Sequence, residues 1–430
     1  MVGPLKILIL SPYPPYPPYG GGTMRIYQLL RGLATHHEVT CLTFAPSAEA
    51  ERLLAPLRNI CQVLTVPGPD KRSIQQRFWT TFTSPLPDMA LRNASATYVT
   101  ALTKLLEIQD FDIVQVESIE MAGYLHIVSH PPGAKLGAAE PCSARPRRRY
   151  PTTILDQFNA EFMLQRRACL TDIHSVRRWH AALYSLIQWL KLVRYEREKM
   201  RLCDVVVAVS KADQAILQQL APMTQIGIVP NGVDTTHFSR AALFDEQIGT
   251  LTFRAPVIVF SGTLDFRPNV DALIWFAREV LPHVRKVHRH VQVLVIGKHP
   301  VPALLRLAST HAIQIIGTVP DTRPYIAGAM VYIVPMRIGG GVRLKLLEAL
   351  SMEAPVVSTT MGAEGIAELQ TGTHCLLADT PIDFANAVLR LLNDTAFGQQ
   401  LGATGRKLVR EHYDWSVIIP RLDSIYAGAV

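Results

Sequence analysis

Short apolar runs along this chain alternate with longer stretches in which apolar residues recur every three or four positions. Residues 6–10 (KILIL) predict a buried parallel strand, and a Pro- and Tyr-rich loop then leads to Gly20, Gly21 and Gly22. A helical pattern follows over 23–34, carried by Ile26, Leu29, Leu30 and Leu33, and residues 38–44 (EVTCLTF) predict the next strand. Strand, glycine loop, helix and strand make a βαβ unit, which requires a parallel sheet with a right-handed crossover. Further strands are predicted at 113–116, 153–155, 205–209 and 226–229, with a Pro-, Gly- and Arg-rich insertion over 131–150 and a long helical region over about 172–202.

After the turn 230–234 (PNGVD) and a polar linker near 240–250, the rhythm restarts. Strands are predicted at 257–260, 291–296, 313–316, 331–334 and 355–358, with helical patterns between them. Two such series predict two doubly wound α/β domains, 1–235 and 236–414. A final helix over about 415–430 has no strand after it and is expected to pack back on the first domain. The ligand crevice is expected at the carboxyl ends of both sheets, where the two domains face each other.

The chain's 430 residues suit two cores, and its composition, 48% hydrophobic and 18% charged, is that of a packed globular protein. Cys41, Cys61, Cys142, Cys169, Cys203 and Cys375 share no short spacing, which argues against a disulfide framework or a zinc site. The apolar run 7–10 is too short for a signal-peptide core, and no stretch reaches membrane-span length, so a cytosolic protein is expected. The Asn93-Ala94-Ser95 sequon then reads as a chance match.

The net charge of +8 gathers in the arginine run 145–149 and in the stretch 166–201. No nucleic-acid-binding signature accompanies it, and no nucleic-acid partner is expected. The helix around 179–199 carries Trp179, Leu183, Ile187, Trp189 and Leu190 beside its cations. The favoured reading is a helix whose apolar face lies in the core. Peripheral contact with the inner face of a membrane is the other reading.

Gly20 to Gly22 and Gly339 to Gly341 each lie between a strand and a helix, where backbone amides can approach a phosphate and the helix N-terminus adds positive charge. Arg343 and Lys345 follow the second cluster at once. Neither cluster is a dinucleotide fingerprint, and no Walker motif or metal-ligand motif is present. Dehydrogenase, P-loop and metal-dependent chemistries are disfavoured, and no metal or other cofactor is expected.

Residues 331–360, VYIVPMRIGGGVRLKLLEALSMEAPVVSTT, resemble the donor-binding segment of family 4 glycosyltransferases. Other stretches extend the resemblance: 205–213 (VVVAVSKAD), 229–238 (VPNGVDTTHF), the opening of the nucleotide domain from Val257, and the loops at 293–297 (VLVIG) and 317–325 (GTVPDTRPY). The resemblance implies the GT-B fold and a donor site of Gly21, Gly22, Thr263, Gly297, Val319, Gly339, Gly340, Gly341, Arg343, Lys345 and Glu348. Arg343 and Lys345 are assigned to the diphosphate, Lys345 also catalytically, and Glu348 to the donor ribose. Two departures stand out. Gly340 occupies the position of a first family glutamate, and the loop 262–268 has threonine where the family often has arginine, with no lysine.

The same resemblance implies retaining, metal-independent transfer of a hexose-type sugar from a nucleotide-sugar to an acceptor hydroxyl on a carbohydrate, a lipid-linked intermediate or a small molecule. Glu117, Glu120 and Glu161 are the carboxylates placed to meet an acceptor hydroxyl, and Asp156, Asn159 and Glu161 resemble a cleft motif with Phe158 at a frequent histidine position. A nucleotide-sugar epimerase or hydrolase, or a degenerate non-catalytic module of the same fold, is the competing reading.

Overall fold

In a computed structural model, residues 3–129, 150–173, 179–243 and 256–430 are described. The arginine run 145–149, most of the 131–150 insertion, Arg177, Arg178, Cys142 and most of the polar linker lie outside them.

The chain divides into two compact units, Met1–Val229 with Ile419–Val430, and Pro230–Ile418. In the first unit, strands β1 (Lys6–Ser11), β2 (Glu38–Ala45), β3 (Gln62–Pro67), β4 (Ile113–Glu117), β5 (Thr152–Gln157), β6 (Val205–Ala208) and β7 (Gln225–Ile228) form one sheet in the order β3-β2-β1-β4-β5-β6-β7. In the second, β8 (Val257–Ser261), β9 (Gln292–Ile296), β10 (Gln314–Gly317), β11 (Val331–Val334), β12 (Val356–Ser358) and β13 (Leu376–Leu377) follow the order β10-β9-β8-β11-β12-β13. Every pairing is parallel. Both orders are doubly wound, with the reversal between the first and fourth strands of each unit, β1/β4 and β8/β11.

Strands such as β1 and β11 are apolar through their middle because both faces are covered, while β4 and β5 also bury polar residues at their ends, among them Glu117 and Asp156. Ile7 to Leu10 and Val331 to Val334 have no solvent exposure. Strands β3 and β13 escape the sequence pattern. β3 is a half-covered edge strand, and β13 is two residues long.

The helices that matter below are α1 (Gly21–Leu33), α2 (Ile74–Thr83), α3 (Glu161–Ile173), α4 (Trp179–Arg201), α5 (Arg267–Trp275), α6 (Leu344–Ser351) and α7 (Trp415–Ala429). Pro230 opens the second unit, so the PNGVD turn falls there rather than at the end of the first domain. Its anchors are local to that unit: Val233 N–H donates to the Tyr413 carbonyl at 2.9 Å, and Thr235 N–H and Oγ1 donate to Asp414 at 3.0 and 2.6 Å. Residues of α7 from Ile419 onward belong to the first unit, where Tyr426 is fully buried and donates to Gln115 Oε1 at 2.6 Å.

One expectation holds only in part. The face of α4 turned into the protein carries Ala182, Ser185 and Gln188 and then Leu192, Tyr195 and Met200, with Trp189 packed against the core and Ile187 half-buried, while Trp179, Leu183, Leu186 and Leu190 are exposed. The spacing of four, three and four residues does describe one helical stripe, but the stripe lies outside. Gln188 explains the inversion in part, because its buried Oε1 accepts the Asp88 N–H at 2.8 Å and so needs an inward position.

Candidate donor and acceptor sites

In the second unit the loops that follow β8 and β11 flank the strand-order reversal, where doubly wound sheets hold their ligands. The loop after β11 runs through Gly339, Gly340 and Gly341 to Arg343, which stands at the N-cap of α6. Leu346, Leu347, Ala349 and Leu350 anchor α6 in the core. That leaves Lys345 and Glu348, one turn apart, on the flank that is only half-buried. Arg343 offers no acceptor side chain to the first-turn amides, so the N-terminus of α6 keeps donors aimed toward the loop.

Lys345 reaches across to the β8 loop. Its Nζ donates to Asn269 Oδ1 at 2.8 Å and lies 4.1 Å from the centre of the Phe260 ring. Asn269 in turn donates to the Thr263 carbonyl at 2.8 Å. A Cβ on Gly262 would stand 2.6 Å from Lys345 Nζ and 2.9 Å from Asn269 Nδ2, and the φ of +149° there suits glycine alone. A Cβ on Gly297 would collide with the Gly262 carbonyl at 1.8 Å. The loop that has threonine at the family's arginine position and no lysine of its own therefore receives a lysine from α6. Gly339 plays the matching part for the arginine, since a Cβ there would meet the Arg343 guanidinium at 1.8 Å. Gly340 and Gly341 continue the loop, and Val319 is half-buried against the second unit's core.

Burial sets the electrostatics. Desolvation, with Arg343 adding to it and Glu348 opposing, lowers the Lys345 ammonium to about 7. Desolvation, opposed by Lys345, raises the Glu348 carboxyl to about 7. Behind them the buried Tyr332 hydroxyl pairs with Ser261 Oγ at 2.6 Å. A flexible cation, a guanidinium, bare helix amides and a carboxylate one turn deeper can together take an anionic diphosphate and an adjoining diol.

In the first unit the loops after β1 and β4 flank the corresponding reversal. Gly21 opens α1 and is exposed. Gly22 is needed for packing, since a Cβ there would stand 1.8 Å from the Tyr13 hydroxyl and 3.1 Å from Phe158. Desolvation pushes the Tyr13 hydroxyl well above its ordinary range, and Glu120, Glu117, Glu161 and Asp156 push it further.

Glu117 does not hold the position expected of it. It has no solvent exposure, takes a 2.7 Å hydrogen bond from Gln115 Nε2, and is held well above the usual carboxylate range by desolvation and by Asp156. Arg25 binds Asp156 through two contacts of 2.7 and 2.8 Å in the same enclosed network. Glu117, at the end of β4, is thus enclosed beside this ion pair and closed to solvent, whereas Glu161 and Glu120 are only partly buried. Glu161 opens α3, is half-buried, accepts from Asn159 Nδ2 at 3.2 Å and is raised to about 7, chiefly by desolvation. Glu120 is held by Asn93 at 3.0 Å and Arg92 at 3.4 Å.

Sequence reasoning passed over Asn269, Tyr13 and Gln157. The first two carry no motif of their own. The amide of Gln157, enclosed at the end of β5, has no hydrogen-bond partner among the described residues. Its only signal was its place just before Phe158, Asn159 and Glu161.

Residues 255–394 match the family described as glycosyl transferases group 1, and residues 143–237 match glycosyltransferase family 4. A curated relative, an uncharacterised 44.6 kDa protein in the cps region of Klebsiella pneumoniae, is 27% identical over 165 residues, which span 36% of this chain and 42% of that protein. Among solved structures, a sucrose-phosphate synthase from Thermosynechococcus elongatus aligns with a TM-score of 0.69 at 16% identity, covering 99% of each chain. HepE from Anabaena, in complex with UDP and glucose, aligns with a TM-score of 0.66 at 14% identity, covering 99% of this chain and all of that one. At these identities the likeness is one of fold.

Proposed function

We propose, from the premise that this chain is a glycosyltransferase of GT-B fold with a family 4 and a group 1 domain, that it moves a hexose-type sugar from a nucleotide-diphosphate sugar to an acceptor hydroxyl. The proposal includes retention of configuration and no metal ion. The observation that carries it is the reach of Lys345 to Asn269 across Gly262, with Arg343 and the α6 N-terminus beside it and Glu348 one turn on.

Sugar transfer leaves negative charge on the departing diphosphate. Lys345, Arg343 and the α6 amides would stabilise that charge, and one such contact is worth about 3 kcal/mol at a transition state. Binding the dianion raises the Lys345 pKa again, so the ammonium is charged when the leaving group needs it. Glu348 would accept the ribose hydroxyls, and Thr263, Gly297 and Val319 would border the nucleotide. Gly340 replaces a carboxylate with backbone, which leaves the sugar contacts on that side to main-chain amides. On the first unit, Glu161 would orient the acceptor hydroxyl with Gln157 and Asn159. UDP and glucose bound in HepE, a protein of the same fold, make UDP the first nucleotide to test. A carbohydrate or a lipid-linked saccharide fits the acceptor side.

The test is a calorimetric titration of the full chain with UDP, GDP, ADP and dTDP, repeated with Glu348→Ala, followed by product analysis with the sugar donor of whichever nucleotide binds. Binding of one nucleotide, weakened at least about tenfold in the variant, is expected, and product should appear only when an acceptor is present. Nucleotide release without acceptor would turn the reading toward an epimerase or hydrolase, and no nucleotide binding would leave a non-catalytic module.

A further inference from the structure

Helix α2 buries almost nothing. Of its ten residues only Thr81 is buried, and Ile74, Phe78, Trp79 and Phe82 are exposed, Trp79 at 65%. Yet the helix is firmly built. Ser73 and Gln76 close a capping box at its start, with contacts of 3.1 and 2.8 Å. Lys191 of α4 donates to the carbonyls of Thr80 and Thr81 at 3.2 and 2.8 Å at its end. Arg72 and Arg77 tie its first half to Asp88 at 2.5 and 3.2 Å, and Gln188 of α4 holds the Asp88 amide. The Phe78 ring meets Trp79 and Phe82 edge-on, and all three rings stay exposed.

The partner helix is exposed along part of its surface. Trp179 at 66%, Leu183, Leu186 and Leu190 form an exposed stripe on the first half of α4, while Leu192, Tyr195 and Met200 of its second half are buried and Trp189 packs against the core. Two helices joined through Lys191 that each turn apolar side chains to water offer exposed apolar surface of the kind that marks a docking face in a globular protein.

Charge identifies what docks. Residues 71–87 and 179–195 contain no aspartate or glutamate; of their cations Arg72 and Arg77 share Asp88 and Lys191 caps α2, while Lys71 and Arg194 are exposed. Asp70 and Glu198 lie outside these stretches, and Asp88 is buried under Arg72 and Arg77. A second copy of this chain seated on the face by two-fold symmetry would set like charges and the same helices against each other. An anionic bilayer supplies an apolar interior and a negative surface together, and tryptophans flanked by cations suit that boundary. No helix among the described residues is long and apolar enough to cross a membrane, so the contact is interfacial. We propose that α2 and α4 together form a docking face for an anionic phospholipid bilayer.

The experiment is flotation of the full chain with vesicles of phosphatidylcholine alone or with one third phosphatidylglycerol, for the wild type and for F78S/W79S/F82S. These side chains are exposed, so the variant should keep its melting temperature and nucleotide affinity, both measured in parallel. The wild type should float with the anionic vesicles, less at high salt, and the variant at least about tenfold less. Absence of flotation, equal flotation with both vesicle types, or full binding by the folded variant would overturn the proposal. So would a concentration-dependent dimer, seen by sedimentation, that the variant abolishes, since that would assign the face to a second copy.

Discussion

Lys345 and Glu348 make the donor site a pH-tuned pair. The proposed contacts need an ammonium at Lys345 for the diphosphate and a carboxylate at Glu348 for the ribose, and both groups sit at about 7 in the empty site. Below pH 7 Glu348 takes up a proton and loses its acceptor character; above pH 7 Lys345 loses its charge. Affinity for a nucleotide-diphosphate sugar should therefore peak near neutrality and fall by up to about tenfold per pH unit on either side. At pH 8 about one tenth of Lys345 is charged in the free protein, so binding should draw in just under about one proton. At pH 6 Glu348 should release a comparable amount. A nucleotide-sugar is the right ligand, since both its phosphates stay singly charged across this range. Calorimetry in buffers of different ionisation enthalpy reads the proton count and its sign. Lys345→Met should flatten the alkaline limb, and Glu348→Gln the acid limb. A profile without a maximum, or limbs that survive in the matching variants, would refute this account of the site.

Three further outcomes follow from the geometry. Gly262→Ala places a methyl 2.6 Å from Lys345 Nζ in a strained backbone, costing about 1–3 kcal/mol. Its melting temperature and nucleotide affinity should both drop, and the affinity loss should be largely absent when Lys345→Met is already present; a fully additive loss would detach Gly262 from the lysine. Arg25→Met strands the buried Asp156 carboxylate and should cost about 3–5 kcal/mol in urea unfolding, part of it regained with Asp156→Leu. A loss below about 1 kcal/mol would mean the pair is dispensable. Glu161→Gln should slow transfer by about a hundredfold or more with nucleotide affinity unchanged, and loss of both together would place Glu161 in donor binding instead.

Much of this protein is legible in its sequence because parallel sheets write themselves into it plainly. Buried strands such as Ile7 to Leu10 and Val331 to Val334 must be apolar on both faces, and the spacing of helices between them leaves few topologies. The donor segment was equally readable, because glycine loop, cations, glutamate and helix fall within one short stretch from Gly339 to Glu348. Two of the four edge strands were not: β3 is only half covered and β13 is two residues long, so neither carries a full apolar run.

What depended on residues distant in sequence could not be read in advance. The β8 loop looked deprived of a lysine until Lys345 was found folded over Gly262 onto Asn269. Glu117 looked like an exposed carboxylate at a strand end, and only the Arg25–Asp156 pair above it shows that it is enclosed. On α4 periodicity revealed a leucine and tryptophan stripe but not its direction, since a helical repeat defines faces and the neighbouring elements choose between them. Sequence by itself determined most of the strands, the doubly wound class of both domains and the chemistry available to the donor segment. Tertiary structure alone decided which charges are buried, which cation serves which loop and which apolar face is left to water, because each of these is set by desolvation and contact across the fold.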